Sequence, residues 1–262
     1  MTFQQKFDQI ITKNNSLLCV GLDSDLEKIP SQFQHKDYPQ FAFNKWIVEQ
    51  THDFVCAYKP NSAFYEARGA DGITELKMTC HYVKKQYPDI PIIFDAKRGD
   101  IGSTNEGYVR FAYEYLGVDA ITLHPYLGKE ALTPFLKQKE KGCIILCRTS
   151  NPGAGEFQDI EKLYKKVASS VVASWNANKN CMLVVGATYP KELAEIRKIV
   201  GDMTILVPGI GAQGGDVEKT VKAGLNSKNA GMIINAGRSI IFSKNPQKET
   251  MKLRDEINKF RN

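Results

Sequence analysis

The sequence predicts an α/β fold, a (β/α)8 TIM barrel, and three observations carry that expectation. Eight short apolar runs punctuate the chain, segments of helical spacing separate them, and 262 residues is a length at which one such barrel closes. The runs are Leu17 to Leu22, Phe54 to Tyr58, Ile90 to Phe94, Ala120 to Leu123, Cys143 to Cys147, Cys181 to Val185, Thr204 to Val207 and Gly231 to Ile234. Each is four to six residues long, too short for a helix of ordinary length, and none alternates with polar residues as a strand with one wet face would. They therefore read as parallel strands buried on both faces. The intervening segments place apolar residues three and four apart, as in Phe43-Trp46-Ile47 and Leu163-Val167-Val171-Val172-Trp175, which is the stripe of a helix packed on a sheet. A doubly wound open sheet uses the same elements and remains the alternative at this point.

One segment breaks the alternation. From Ser24 to Gln40, with Pro30 and Pro39 and little periodicity, a long loop is expected after the first strand. No Pro/Gly/Ser-rich linker or low-complexity tract divides the chain, so residues 1–262 are expected to form a single barrel domain.

Composition narrows the class. With 42% hydrophobic and 24% charged residues, and no apolar run near the roughly 18 residues of a membrane span, a soluble protein is expected, with no membrane partner. The start Met-Thr-Phe-Gln-Gln-Lys has no apolar stretch behind a basic one, which points to the cytoplasm rather than export. Six cysteines, Cys19, Cys56, Cys80, Cys143, Cys147 and Cys181, form no Cys-x-x-Cys pair, and five sit in apolar strand-like runs, so neither zinc nor disulfides are implied. The net charge is +6, but the lysines are dispersed among acids, as in Lys137-Gln-Lys-Glu-Lys141, which argues against nucleic acid and for anionic small molecules.

In a barrel of this kind function gathers where strands end. The ends read Gly21-Leu22-Asp23, Lys59-Pro60-Asn61, Asp95-Ala96-Lys97, Thr122-Leu123-His124, Arg148-Thr149-Ser150-Asn151, Val207-Pro208-Gly209 and Asn235-Ala236-Gly237-Arg238. The stretch from Asp95 to Thr104 is the densest: Asp95 and Lys97 fall on one side of a strand, and Asp100 falls on the following turn. A surface salt bridge would explain an isolated Asp-x-Lys. It does not explain charges converging from so many strand ends. Because Asp95 and Asp100 favour the ammonium, Lys97 suits proton donation better than Schiff-base attack on a carbonyl. His124 stands alone at its strand end, with no second histidine to complete a metal site, and is given no chemical role.

The seventh loop, Gly209-Ile-Gly211-Ala-Gln213-Gly214-Gly215-Asp216, matches Gly-x-Gly-x-x-Gly in form. A dinucleotide site would want an acid at the end of the next strand, where Asn235-Ala236-Gly237 stands instead. In a barrel the seventh and eighth loops cradle phosphate, a role that fits Gln213, Gly237 and Arg238.

Asp95-Ala-Lys97-Arg-Gly-Asp100-Ile-Gly-Ser-Thr104, with Pro208-Gly209-Ile-Gly-Ala-Gln213-Gly-Gly-Asp216 and Gly237-Arg238, resembles the orotidine 5'-phosphate decarboxylase family. The extended Asp-Ala-Lys-Arg-Gly-Asp block and Lys59-Pro-Asn61 resemble its longer bacterial subfamily, type 2, and the likeness runs from Asp23 to Arg238. The resemblance implies cofactor-free, metal-free decarboxylation of orotidine 5'-phosphate to UMP in pyrimidine biosynthesis. Lys97 would protonate C6, Asp95 would sit beside the departing carboxylate, and Lys59 would bridge the ribose and the charge array. Asp23 would bind ribose hydroxyls, Ser150 the pyrimidine edge, and Gln213 with Arg238 the 5'-phosphate. Ile101, Pro208 and Gly237 would complete the substrate contacts. It also implies a homodimer, in which Asp100 and Thr104 reach into the partner's site. Two competing readings are a magnesium-dependent sugar-phosphate decarboxylase sharing Asp-x-Lys-x-x-Asp and a catalytically silent phosphate-binding barrel.

Overall fold

The apolar runs become eight parallel strands in the computed structural model, which describes residues 1–211 and 214–261. They are β1 (Leu18–Gly21), β2 (Ala57–Lys59), β3 (Ile93–Arg98), β4 (Ala120–Leu123), β5 (Gly142–Arg148), β6 (Cys181–Val185), β7 (Ile205–Pro208) and β8 (Met232–Ala236). Pairing runs β2-β1-β8-β7-β6-β5-β4-β3, sequence order throughout except that β1 joins β8. A doubly wound sheet would reverse its order midway, so that alternative fails. The remaining seam, between β2 and β3, is spanned by single bridges from Tyr58 to Ile92 and from Asn61 to Asp95. The three-residue β2 runs directly into Pro60, which has no N–H to extend the ladder, yet the Pro60 carbonyl accepts from Asp95 N at 3.0 Å. The arrangement is a nearly closed (β/α)8 barrel.

The strands are buried almost throughout, and side chains such as Tyr58, Phe94, Phe135, Leu18 and Ile47 are inaccessible to water. Each such aliphatic or aromatic side chain contributes about 1.5–3 kcal/mol relative to exposure. The helix Phe3–Lys13 shuts the N-terminal end. Thr2 caps it, Phe3 N donates to Glu140 O at 2.9 Å, and Thr204 Oγ1 donates to Gln4 Oε1 at 2.9 Å, which ties it to the entrances of β5 and β7. Chemistry is left to the opposite end.

Three sequence expectations need correction. The second strand is Ala57–Lys59, not Phe54 to Tyr58: His52–Phe54 form a 3-10 turn. Ser16 Oγ and Asn14 Nδ2 occupy the carbonyls of Phe54 and Val55, so burial there comes without a ladder. The third strand starts at Ile93 rather than Ile90 and continues through the charged residues to Arg98. The segment expected as a long loop contains the helical turn Ser31–Gln34 and ends where Pro39 opens the helix Pro39–Thr51, a first-turn position that suits proline's fixed φ.

Candidate active site

The end of β3 departs from regular strand geometry where its charges cluster. Between Phe94 and Arg98 it spends four steps against two on β4, from Ile121 to Leu123, and Lys97 sits at φ +48°. A left-handed lysine is uncommon and costs backbone energy, which neighbouring contacts must offset. Those contacts are present: Lys97 N donates to Thr122 Oγ1 at 2.9 Å, and Lys97 Nζ donates to Asp95 Oδ1 at 2.7 Å.

Asp95 is the hub. Lys59 Nζ, from the end of β2, donates to its Oδ2 at 2.6 Å, and Thr122 Oγ1, on β4, donates to its Oδ1 at 2.9 Å. Asp95 and Lys59 are buried, whereas half of the Lys97 side chain is exposed. Burial alone would raise the Asp95 carboxyl, but the ammonium groups of Lys59 and Lys97 overcome it and hold it well below the usual carboxylate range. Lys59 mirrors this: burial opposes its charge, while Asp95 and Asp23 raise it above an ordinary lysine. Asp95 is thus a carboxylate held in its ionised form at neutral pH between two lysine ammonium groups.

Asp23 differs. Its loop is fixed by Leu22 N donating to Lys59 O at 3.1 Å and Tyr65 Oη donating to Leu22 O at 2.8 Å. Burial pushes its carboxyl above the ordinary value, with Lys59, Lys97 and Arg238 opposing and Asp95 reinforcing the rise.

These groups line a cavity of about 450 Å³ at the C-terminal end of the strands. Lys59, Asp95, Lys97, Thr122 and Asp23 charge and polarise one part, and Leu146, Val184 and Leu206 from β5, β6 and β7 supply an apolar part. A site of this size and lining takes a small molecule that carries both apolar and polar groups. Ser150, Pro208, Gly237 and Arg238 line it as well, so eight of the sequence-predicted site residues converge there. A larger cleft of about 840 Å³, lined by Asp8, Lys179 and Arg261, opens beside the N-terminal helix and contains none of them.

The wall around Ser150 is fastened from beneath. Arg148, buried at the end of β5, reaches Asp159 Oδ1 at 3.0 Å and stacks on the Tyr189 ring at 3.7 Å. Next to that pair, Thr149 N donates to Gln158 Oε1 at 2.8 Å. After β7 the chain turns back on itself: Gly209, Gly211 and Gly214 have φ of +110°, +81° and +76°, and Gly215 N donates to Gly209 O at 3.0 Å. Asp216 then caps the helix Val217–Gly224.

Not every predicted residue faces this cavity. Asp100, Ile101 and Thr104 do not line it: Ile101 is 62% exposed, and Thr104 lines a separate apolar hollow with Tyr108 and Phe111. Gln213 lies outside the described residues. Thr122, Thr149, Gln158 and Asn235 are cavity residues to which the sequence reading gave no role. Thr122 and Asn235 had a signal, being polar residues inside apolar strands. Gln158 had none, since only the fold of its loop returns it to Thr149. Among the described residues no group of three or more His, Cys, Asp or Glu could hold a metal ion, and no helix is long and apolar enough to cross a membrane. All six cysteines are free and buried.

Comparison with known proteins places the same residues in a wider context. Residues 16–253 match the family model described as the orotidine 5'-phosphate decarboxylase / HUMPS family. The chain is 50% identical over 251 residues to the orotidine 5'-phosphate decarboxylase of Cellvibrio japonicus (strain Ueda107), covering 94% of this chain and 91% of the relative. It is 43% identical over 271 residues to that of Janthinobacterium sp. (strain Marseille), covering 99% of each. Among solved structures, Leishmania donovani OMP decarboxylase superposes with a TM-score of 0.89 at 35% identity, over 100% of this chain and 99% of that one.

Proposed function

The chain belongs to the orotidine 5'-phosphate decarboxylase / HUMPS family, and we propose that it converts orotidine 5'-phosphate to UMP and carbon dioxide without a cofactor. One observation carries the reading: a buried carboxylate, Asp95, held ionised between Lys59 and Lys97 at the wall of a cavity sized for a nucleotide. A substrate carboxylate seated beside Asp95 meets a like charge that cannot escape by protonation. Loss of neutral carbon dioxide relieves that repulsion, so the interaction is more favourable in the transition state than in the ground state. The electron pair of the broken C–C bond stays on C6. The Lys97 ammonium stabilises the developing negative charge and transfers one N–H proton to it, and the amine regains a proton from water.

Asp23, whose buried Oδ1 has no hydrogen-bond partner, suits ribose hydroxyls, and Ser150 suits the pyrimidine edge above the apolar wall. Arg238, after Gly237 at the start of a helical turn, suits the 5'-phosphate together with Gln213, and binding energy from that remote group would be used at the reacting carbon. The same reading has the chain act in the cytoplasm, in pyrimidine biosynthesis, as a homodimer whose protomers lend Asp100 and Thr104 to each other. The position of those two residues off their own cavity supports the exchange.

The test is the fall in orotidine 5'-phosphate absorbance with EDTA present. Turnover unchanged by the chelator is expected. Turnover that requires added magnesium, or none at all, would overturn the reading.

A further inference from the structure

The cavity contains an unmet hydrogen-bonding demand that the charge array does not explain. Among the described residues seven buried side-chain polar atoms have no hydrogen-bond partner, and two of them, Asp23 Oδ1 and Asn235 Oδ1, belong to residues that line this cavity. Both are acceptors. Asn235 lies on β8 and is only 9% exposed, and Asp23 follows β1, the strand paired with β8, so both acceptors belong to one seam of the barrel.

Two glycines keep that seam open. A Cβ on Gly21 would stand 3.2 Å from Gly237 Cα and 3.4 Å from Asn235 Oδ1, and a Cβ on Gly237 would stand 3.2 Å from Asp23 Oδ2. A side chain at Gly21 would crowd the Asn235 amide, and one at Gly237 would crowd the Asp23 carboxylate. A buried amide oxygen in an otherwise apolar strand costs stability unless a donor reaches it. The lysines do not fill that role: Lys59 Nζ and Lys97 Nζ donate to Asp95, and neither reaches Asp23 Oδ1 or Asn235 Oδ1. What the seam lacks is a pair of neutral O–H donors close together, and a vicinal diol supplies such a pair.

We propose that Asn235 is a specificity-determining residue whose Oδ1 accepts a hydrogen bond from one hydroxyl of the ribose diol, beside the hydroxyl bound by Asp23. The inference rests on the nucleotide reading above and adds a residue to it. A site that is completed by a substrate hydroxyl discriminates against the analogue without it, because the buried acceptor is then left unpaired.

The test compares UMP with its 2'-deoxy and 3'-deoxy forms, bound to the full chain and followed by calorimetry, in wild type, Asn235→Leu and Asn235→Asp. Removing the hydroxyl that Asn235 accepts should weaken binding to wild type by about 10- to 100-fold. Asn235→Leu should bring that ratio to within about threefold of unity. Asn235→Asp, which keeps an acceptor and loses the amide donor, should preserve it and guards against a misfolded leucine variant. An unchanged ratio in Asn235→Leu, or a ratio lost in Asn235→Asp, would overturn the proposal. Binding ratios decide this independently of turnover, so failure of the decarboxylase reading would be seen separately in the EDTA assay.

Discussion

Lys59 Nζ lies 2.6 Å from Asp95 Oδ2, and both side chains are buried at the mouth of the barrel. An ion pair withdrawn from water contributes little net stability, because desolvation offsets the attraction, but breaking it strands a charge. The pair therefore makes better sense as machinery than as a staple.

Its pH signature follows from the direction of the Asp95 shift. A carboxyl held below its unfolded value adds stability that is complete above about pH 4, the ordinary carboxylate value, and is lost as pH falls through the folded one. Asp95→Asn should therefore lower the melting temperature most at neutral pH, with the gap from wild type narrowing steadily below about pH 4. Melting curves from pH 3 to 7 check this, and a gap independent of pH would contradict it.

Thr122 ties the array to β4 through two hydrogen bonds, one given to Asp95 Oδ1 and one accepted from Lys97 N. Thr122→Val keeps the shape and removes both. It should cost about 1–3 kcal/mol of stability and reduce kcat by about tenfold or more, through misplacement of Lys97. Urea titration and steady-state kinetics on the same preparation measure the two effects.

Arg238→Ala should weaken binding of phosphorylated ligands by about 10- to 100-fold while changing affinity for the unphosphorylated nucleoside little. The comparison of UMP with uridine is decisive, because equal losses for both would remove the phosphate role.

The proposed exchange of Asp100 between protomers makes a complementation prediction. Lys97→Ala and Asp100→Ala chains, each inactive alone, should regain activity when reassociated, because one site of each heterodimer then carries both lesions and the other neither. Up to about half the heterodimer sites should recover, in proportion to heterodimer content measured by native mass spectrometry. Confirmed heterodimers with no activity above the summed parents would assign Asp100 to its own subunit.

Much of this architecture was legible in the sequence because its cause is periodic. Strands buried on both faces must be continuously apolar, so β4 and β6 fall on the residues the pattern marks. Strand ends were legible too, since a charge that follows an apolar run has to emerge where the run stops, and Asp23, Lys59, Asp95 and Arg238 all do so. Edges set by hydrogen bonding rather than hydrophobicity were not. Phe54 and Val55 look like strand and are not, because Ser16 and Asn14 claim their carbonyls, and no local pattern announces a contact across some forty residues. Strand alternation correctly set Asp95 and Lys97 together, yet Lys97 arrives through a left-handed residue and a register shift that alternation does not contain. The Arg148 to Asp159 clasp and the return of Gln158 to Thr149 depend on a loop path that only the folded chain defines.

Lys97→Ala isolates the proposed delivery of a proton from Lys97 to the reacting carbon. Turnover of orotidine 5'-phosphate and calorimetric binding of UMP should be measured on the same folded preparation. A loss of kcat by at least about 10²–10⁴-fold with UMP affinity largely kept is expected, because the missing group acts on the transition state. Activity within about tenfold of wild type, with binding intact, would contradict it.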